Sequence, residues 1–77
     1  MSPATQEEGH RIHCRLDELL DERGMTLTEL ASRVGVTVVN LSVLKNGRAK
    51  AIRFSTLTAI CEALQCDVGD VLQIDDE

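Results

Sequence analysis

Aromatic residues are almost missing from this chain. Phe54 is the only one in 77 positions, and there is no Trp or Tyr. Platforms that read single-stranded nucleic acid stack bases on aromatic rings, so that class of function is disfavoured from the outset. Long apolar runs are missing too. No stretch approaches the roughly eighteen residues of a spanning helix, and no apolar signal segment opens the chain, so a cytoplasmic protein with no membrane role is expected. Cysteine is sparse and odd in number. Without a secretion signal, Cys14, Cys61 and Cys66 read as reduced thiols rather than a disulfide framework. No nucleophile–base pair, glycine-rich phosphate loop or carboxylate dyad stands out. A non-enzyme with no cofactor and no metal site is therefore expected.

The most informative absence is local. The net charge is −5, which by itself counts against a polyanionic partner. Yet from Leu30 to Cys61 there is no Asp or Glu, while Arg33, Lys45, Arg48, Lys50 and Arg53 all fall there. Elsewhere Arg11, Arg15 and Arg23 face all thirteen acids. One contiguous basic segment inside an acidic protein is a footprint for nucleic acid on one face.

Length allows one domain with a small core, marginal alone and helped by a second subunit. Residues 1–9 read as a polar, flexible tail, leaving 10–77 for the domain. Ile12 to Arg15 alternates apolar and polar, the period of a short strand. Leu16, Leu19 and Leu20 then share a helical face opposite Asp17, Glu18, Asp21 and Glu22, and Gly24 ends that helix. The four acids form a solvated surface. Thr26-x-x-Glu29 has capping-box form, so a second helix should open at Leu27, with Leu27, Leu30, Ala31 and Val34 inward. Gly35 supplies a left-handed turn, Val36 follows as a buried turn residue, and Thr37 caps a third helix running to about Asn46. Gly47 ends it, and Arg48 to Arg53 form a basic loop. Ser55 or Thr56 should cap a fourth helix with Leu57, Ile60, Cys61 and Leu64 inward. Phe54 should anchor the loop in the core. Asp67 can cap a last turn, Val68 to Val71. Gln73-Ile74-Asp75 reads as a strand with residues 12–15 as its available partner.

Spacing lifts the second and third helices above a generic hairpin. Counting from Leu27, small Ala31 is fifth, where two backbones must approach closely. Gly35 is ninth, at the turn, and apolar Val36 is tenth. Leu41 and Leu44 are fifteenth and eighteenth, one turn apart on an inner face. These are the constrained positions of a helix-turn-helix.

Thr26 to Gly47 resembles the helix-turn-helix of lambda-repressor/Cro-like (XRE-type) regulators. The stretch NLSVLKNGRAKAIRFSTLTAICEALQCDVGDVLQ is similar to a short, one-domain bacterial subgroup, in which a basic loop precedes a helix of the form STL-x-x-[IL]-C-x-AL-x-C-x-x-GD-[IVL]-L. The resemblance covers about Ile12 to Gln73. It implies an all-α, lambda-repressor-like domain of four to five short helices, double-stranded DNA as partner, and usually a homodimer. The dimer surface would use Val68 to Ile74 or the N-terminal strand.

If Leu41 and Leu44 point in, steps of 100° put Val39, Ser42, Val43 and Asn46 outside, flanked by Val38 and Asn40, with Thr37 at the exposed N-terminus. In a major groove Asn40 and Asn46 can pair with adenine edges. Thr37 and Ser42 can bond bases, and Val38, Val39 and Val43 can meet thymine methyls. Thr28 at the start of the second helix, with Arg33, Lys45, Arg48, Lys50 and Arg53, would contact phosphates. Two features depart from the family: three valines stand where Arg, Lys or Gln is frequent, and Leu27 stands where Gln is frequent.

The outward valines leave a second reading open, a helix-turn-helix used as a protein-interaction module such as an antitoxin or co-regulator. A third is a metal- or thiol-sensing regulator using His10, His13, Cys14, Cys61 or Cys66. Cys61 and Cys66 also match the subgroup pattern, which implies a structural role for both.

Overall fold

The computed structural model describes residues 11–75. The expected tail over residues 1–9, and His10, lie outside that range. Five helices and two short strands follow in the order β1 (Ile12–Cys14), α1 (Leu16–Arg23), α2 (Leu27–Val34), α3 (Val38–Lys45), α4 (Phe54–Leu64), α5 (Val68–Val71) and β2 (Leu72–Ile74). The strands pair antiparallel with Ile12 opposite Ile74, His13 opposite Gln73 and Cys14 opposite Leu72. The helical domain with a small pairing of its two ends is therefore observed, with β2 one residue earlier than the alternation alone suggests.

Ten apolar residues form one buried cluster: Leu16, Leu19, Leu20, Leu30, Ala31, Leu41, Leu57, Ile60, Leu64 and Val71. Every helix contributes at least one residue to it. Among the described residues, no polar or charged side chain is buried. Burying a side chain such as Leu or Ile removes roughly 1.5–3 kcal/mol of exposure cost, so this cluster is the main cohesive term in a small chain.

Caps set the helix limits. The Thr26 hydroxyl accepts from the Glu29 N–H at 3.0 Å. The reciprocal half of the expected capping box is replaced, because the Glu29 carboxylate instead accepts from Arg33 Nη2 at 2.8 Å. A complete box forms at Asp67 and Asp70, which opens α5. Arg23 Nε donates to the Leu64 carbonyl at 2.7 Å and so ties α1 to the C-terminal end of α4. The Arg15 N–H donates to the Val71 carbonyl at 2.8 Å and fastens the start of α1 to α5.

Three expectations need correction. Phe54 does not anchor the core: it is 85% exposed. It is the first residue of α4 and lies roughly 90° off the stripe of Leu57, Ile60 and Leu64 by 100° steps. Ile52 packs against the core from the basic loop instead. Ser55 and Thr56 do not cap α4, which opens two to three residues earlier on an extended Arg53 with no side-chain cap bond. Val36 is half-buried against the core rather than fully enclosed.

In urea unfolding, Ile60→Ala should lower stability by about 2–5 kcal/mol. Phe54→Ala should change it by less than about 0.5 kcal/mol, as at an ordinary surface site.

Candidate nucleic-acid interface

The turn between α2 and α3 is built on Gly35, at φ 85°, ψ 31°. An L side chain seldom adopts that conformation, and glycine adopts it without a steric cost. The Gly35 and Val36 N–H groups both donate to the Ala31 carbonyl, at 2.9 and 3.1 Å. The chain bends through 114° between the two helices, inside the roughly 90–120° of helix-turn-helix units. Thr37, extended at φ −80°, ψ 154°, accepts from the Asn40 N–H at 3.0 Å and fixes the start of α3.

Leu41 points into the core, and Leu44 packs against it half-buried. The opposite face is open: Thr37, Val38, Val39, Asn40, Val43 and Asn46 are exposed, Val39 to 70%. Ser42 is half-buried, and its hydroxyl accepts from Asn46 Nδ2 at 3.3 Å. The sequence-expected base-reading set thus lies along one helix, with Ser42 at its inner border and Asn46 partly engaged.

The six expected phosphate groups divide into two classes. Arg33 is paired with Glu29 at 2.8 Å along α2. Lys45 is 23% exposed and reaches across to Asp17 on α1, at 3.2 Å. The first pair is an i,i+4 neighbour pair on one helix, whereas Asp17 and Lys45 are brought together only by helix packing and were not legible from periodicity. Such exposed pairs contribute about 0–1 kcal/mol, so each releases its cation at small cost. Arg48, Lys50 and Arg53, by contrast, have no side-chain ion pair or hydrogen bond among the described residues. Thr28 is exposed in the first turn of α2.

These three cations line a cleft of about 620 Å³, together with Thr37, Asn40 and Val43 of α3 and Thr56 of α4. Two more residues on its wall, Ala49 and Ala51, carry no sequence signal of their own; their small size leaves the cleft open. The N-termini of α3 and α4 both border it, and neither helix has an acid in its first turn. The first turns of α1, α2 and α5 all carry acids: Asp17 and Glu18, Glu29, and Asp70. The two helix dipoles that are not offset by an acid therefore end at the basic cleft, where a negative ligand is favoured. Among the described residues no three His, Cys, Asp or Glu side chains converge on a metal site, and no single helix is long and apolar enough to cross a membrane.

This geometry agrees with comparison at the family level. A model of the Cro/C1-type HTH DNA-binding domain matches residues 15–77. The chain belongs to the Cro/C1-type helix-turn-helix family. YozG of Bacillus subtilis (strain 168), described as an uncharacterized HTH-type transcriptional regulator, is 60% identical over 62 residues, covering 80% of this chain and 74% of that protein. The crystal structure of the transcriptional regulator VanUg, form II, superimposes with a TM-score of 0.72 at 36% identity, over 90% of this chain and 91% of the other. The lambda-repressor/Cro resemblance read from Thr26 to Gly47 is thus established, and with it the DNA-binding character of the domain.

Within this Cro/C1-type domain the cap carries stability and the loop does not. Thr37→Ala should lower unfolding free energy by about 0.5–2 kcal/mol. Arg48→Ala, which removes no internal partner, should stay within about 0.5 kcal/mol of the parent in the same urea titration.

Proposed function

We propose that the domain is a sequence-specific regulator that lays α3 in the major groove of double-stranded DNA. Thr37, Val38, Val39, Asn40, Ser42, Val43 and Asn46 meet base edges, and Thr28, Arg33, Lys45, Arg48, Lys50 and Arg53 meet phosphates. One observation carries this reading: Thr37, Asn40 and Val43 at the exposed side of α3 and three unpaired cations share a single cleft that also receives two acid-free helix N-termini. Asn40 lies on that cleft and is the leading candidate for an adenine contact. Arg48, Lys50 and Arg53 lead the phosphate set because they have no competing internal partner. Lys45 and Arg33 would first exchange a carboxylate for a phosphate.

A lone domain with three outward valines has few bidentate base contacts, which favours a homodimer on two half-sites. Those half-sites would lie about 34 Å apart, one helical turn. Val68, Ile12 and Ile74 are exposed at the end of the molecule bearing the β pairing, and support that end as the dimer surface. The cytoplasm is the compartment of action consistent with a DNA ligand. The exposed run of Val38, Val39 and Val43 favours a second reading, a protein partner on the same face.

Selection of duplexes from a random pool at two salt concentrations tests both. Replacing Arg48 and Lys50 by Ala should weaken every selected site and reduce the slope of log K against log salt by roughly 0.9 per lost phosphate contact. Asn40→Ala should change which sites are chosen, with a loss of about 1–3 kcal/mol at the preferred one. Unchanged binding in the double variant overturns the assigned face. Salt-insensitive binding to a protein, with no duplex enriched, favours the second reading.

A further inference from the structure

At the opposite end of α4 from the basic cleft lies a second cleft, of about 660 Å³, lined among others by Thr58, Cys61, Cys66, Asp67 and Asp70. Its two cysteines are placed there by the way α4 stops. Gln65 takes the left-handed conformation at φ 53°, ψ 57°. The Cys66 N–H donates back to the Cys61 carbonyl at 3.0 Å, and the Gln65 N–H to the Glu62 carbonyl at 3.3 Å. These two bonds make a Schellman motif, in which the side chains at the positions of Cys61 and Cys66 normally meet in an apolar contact. Here those two positions are both cysteines, and both line the same cleft. Both are half-buried on the cleft and neither is in a disulfide.

We propose that Cys61 and Cys66 form a bidentate dithiol site for trivalent arsenic. The donor set selects this chemistry. A zinc ion wants four ligands, but the two neighbouring carboxylates are engaged in the cap of α5, Asp70 Oδ2 accepting from the Asp67 N–H at 3.0 Å and the Asp67 side chain accepting from the Asp70 N–H. No third metal-binding side chain joins the pair among the described residues. A trivalent arsenical brings its own third substituent and asks the protein for two sulfurs only. With an arsine oxide, two As–S bonds form and the As–O bond breaks. The oxygen leaves as water with both thiol protons, and arsenic stays trivalent, so no oxidant or reductant is needed. Partial burial pushes both thiols above their ordinary pKa, and the Asp70 charge adds to it. The two protons the thiols carry are those that leave with the oxygen as water. The site does not depend on how α3 meets DNA.

The test is anaerobic titration of the full chain with one equivalent of phenylarsine oxide, read by intact mass, thiol count and peptide mapping. The expected result is a one-to-one adduct that consumes two thiols, maps to Cys61 and Cys66, leaves Cys14 titratable and is reversed by a small competing dithiol. Cys61→Ser and Cys66→Ser should each weaken binding by at least about a hundredfold, the loss of an intramolecular second contact, and Cys14→Ser should leave it unchanged. No adduct, an adduct that needs Cys14 or a second molecule, or loss of two thiols to a disulfide without bound arsenic overturns the proposal. The map of the parent chain decides the question even if a serine variant fails to fold.

Discussion

The packing of α2 on α3 around the Gly35 turn is the constraint from which the rest follows. Leu30 and Ala31 from one helix and Leu41 from the other belong to the same buried cluster, and the glycine turn bends the chain through 114° between them. Once Leu41 is committed inward, helical geometry leaves Val39, Asn40, Val43 and Asn46 no choice but the surface. The side chains offered to a ligand are a by-product of those that must be hidden.

Electrostatics then gives that surface a sign. The protein is acidic as a whole, yet the acids among the described residues sit on α1, in the first turns of α2 and α5, around the C-terminal end of α4 and after β2. The cleft beside α3 holds Arg48, Lys50 and Arg53 without internal partners, and the helix ends that open onto it carry no offsetting carboxylate. Net charge is a poor guide here because a bound duplex senses the potential within about a Debye length of roughly 8–10 Å, and at that range the local cluster outweighs distant acids. The weak Lys45–Asp17 and Arg33–Glu29 pairs hold the two remaining cations of the basic segment.

Much of this was legible in the sequence, for identifiable reasons. Thr26, Gly35 and Thr37 are local signals whose meaning depends on neighbours within a few residues, and each forms the cap or turn expected of it. The helix order, the inward leucines and the end-to-end strand pairing followed from periodicity in the same way. Contacts that depend on the third dimension were not legible. Nothing near Arg23 announces that it caps the Leu64 carbonyl, and nothing near Lys45 points to Asp17. Phe54 shows the opposite failure. Its size suggested a core anchor, but its phase on α4 leaves it outside and gives the anchoring role to Ile52. The thiol pair needed both kinds of information, because the spacing of Cys61 and Cys66 acquires meaning only when Gln65 turns left-handed between them.

The most direct test of the central claim is amide chemical-shift mapping while the domain is titrated with a bound duplex. The largest changes should fall over residues 37–46 and 48–53, with β1, α1 and the C-terminal end of α4 little affected. Changes concentrated on the acidic face of α1 or around residues 61–70, with α3 unmoved, would contradict it.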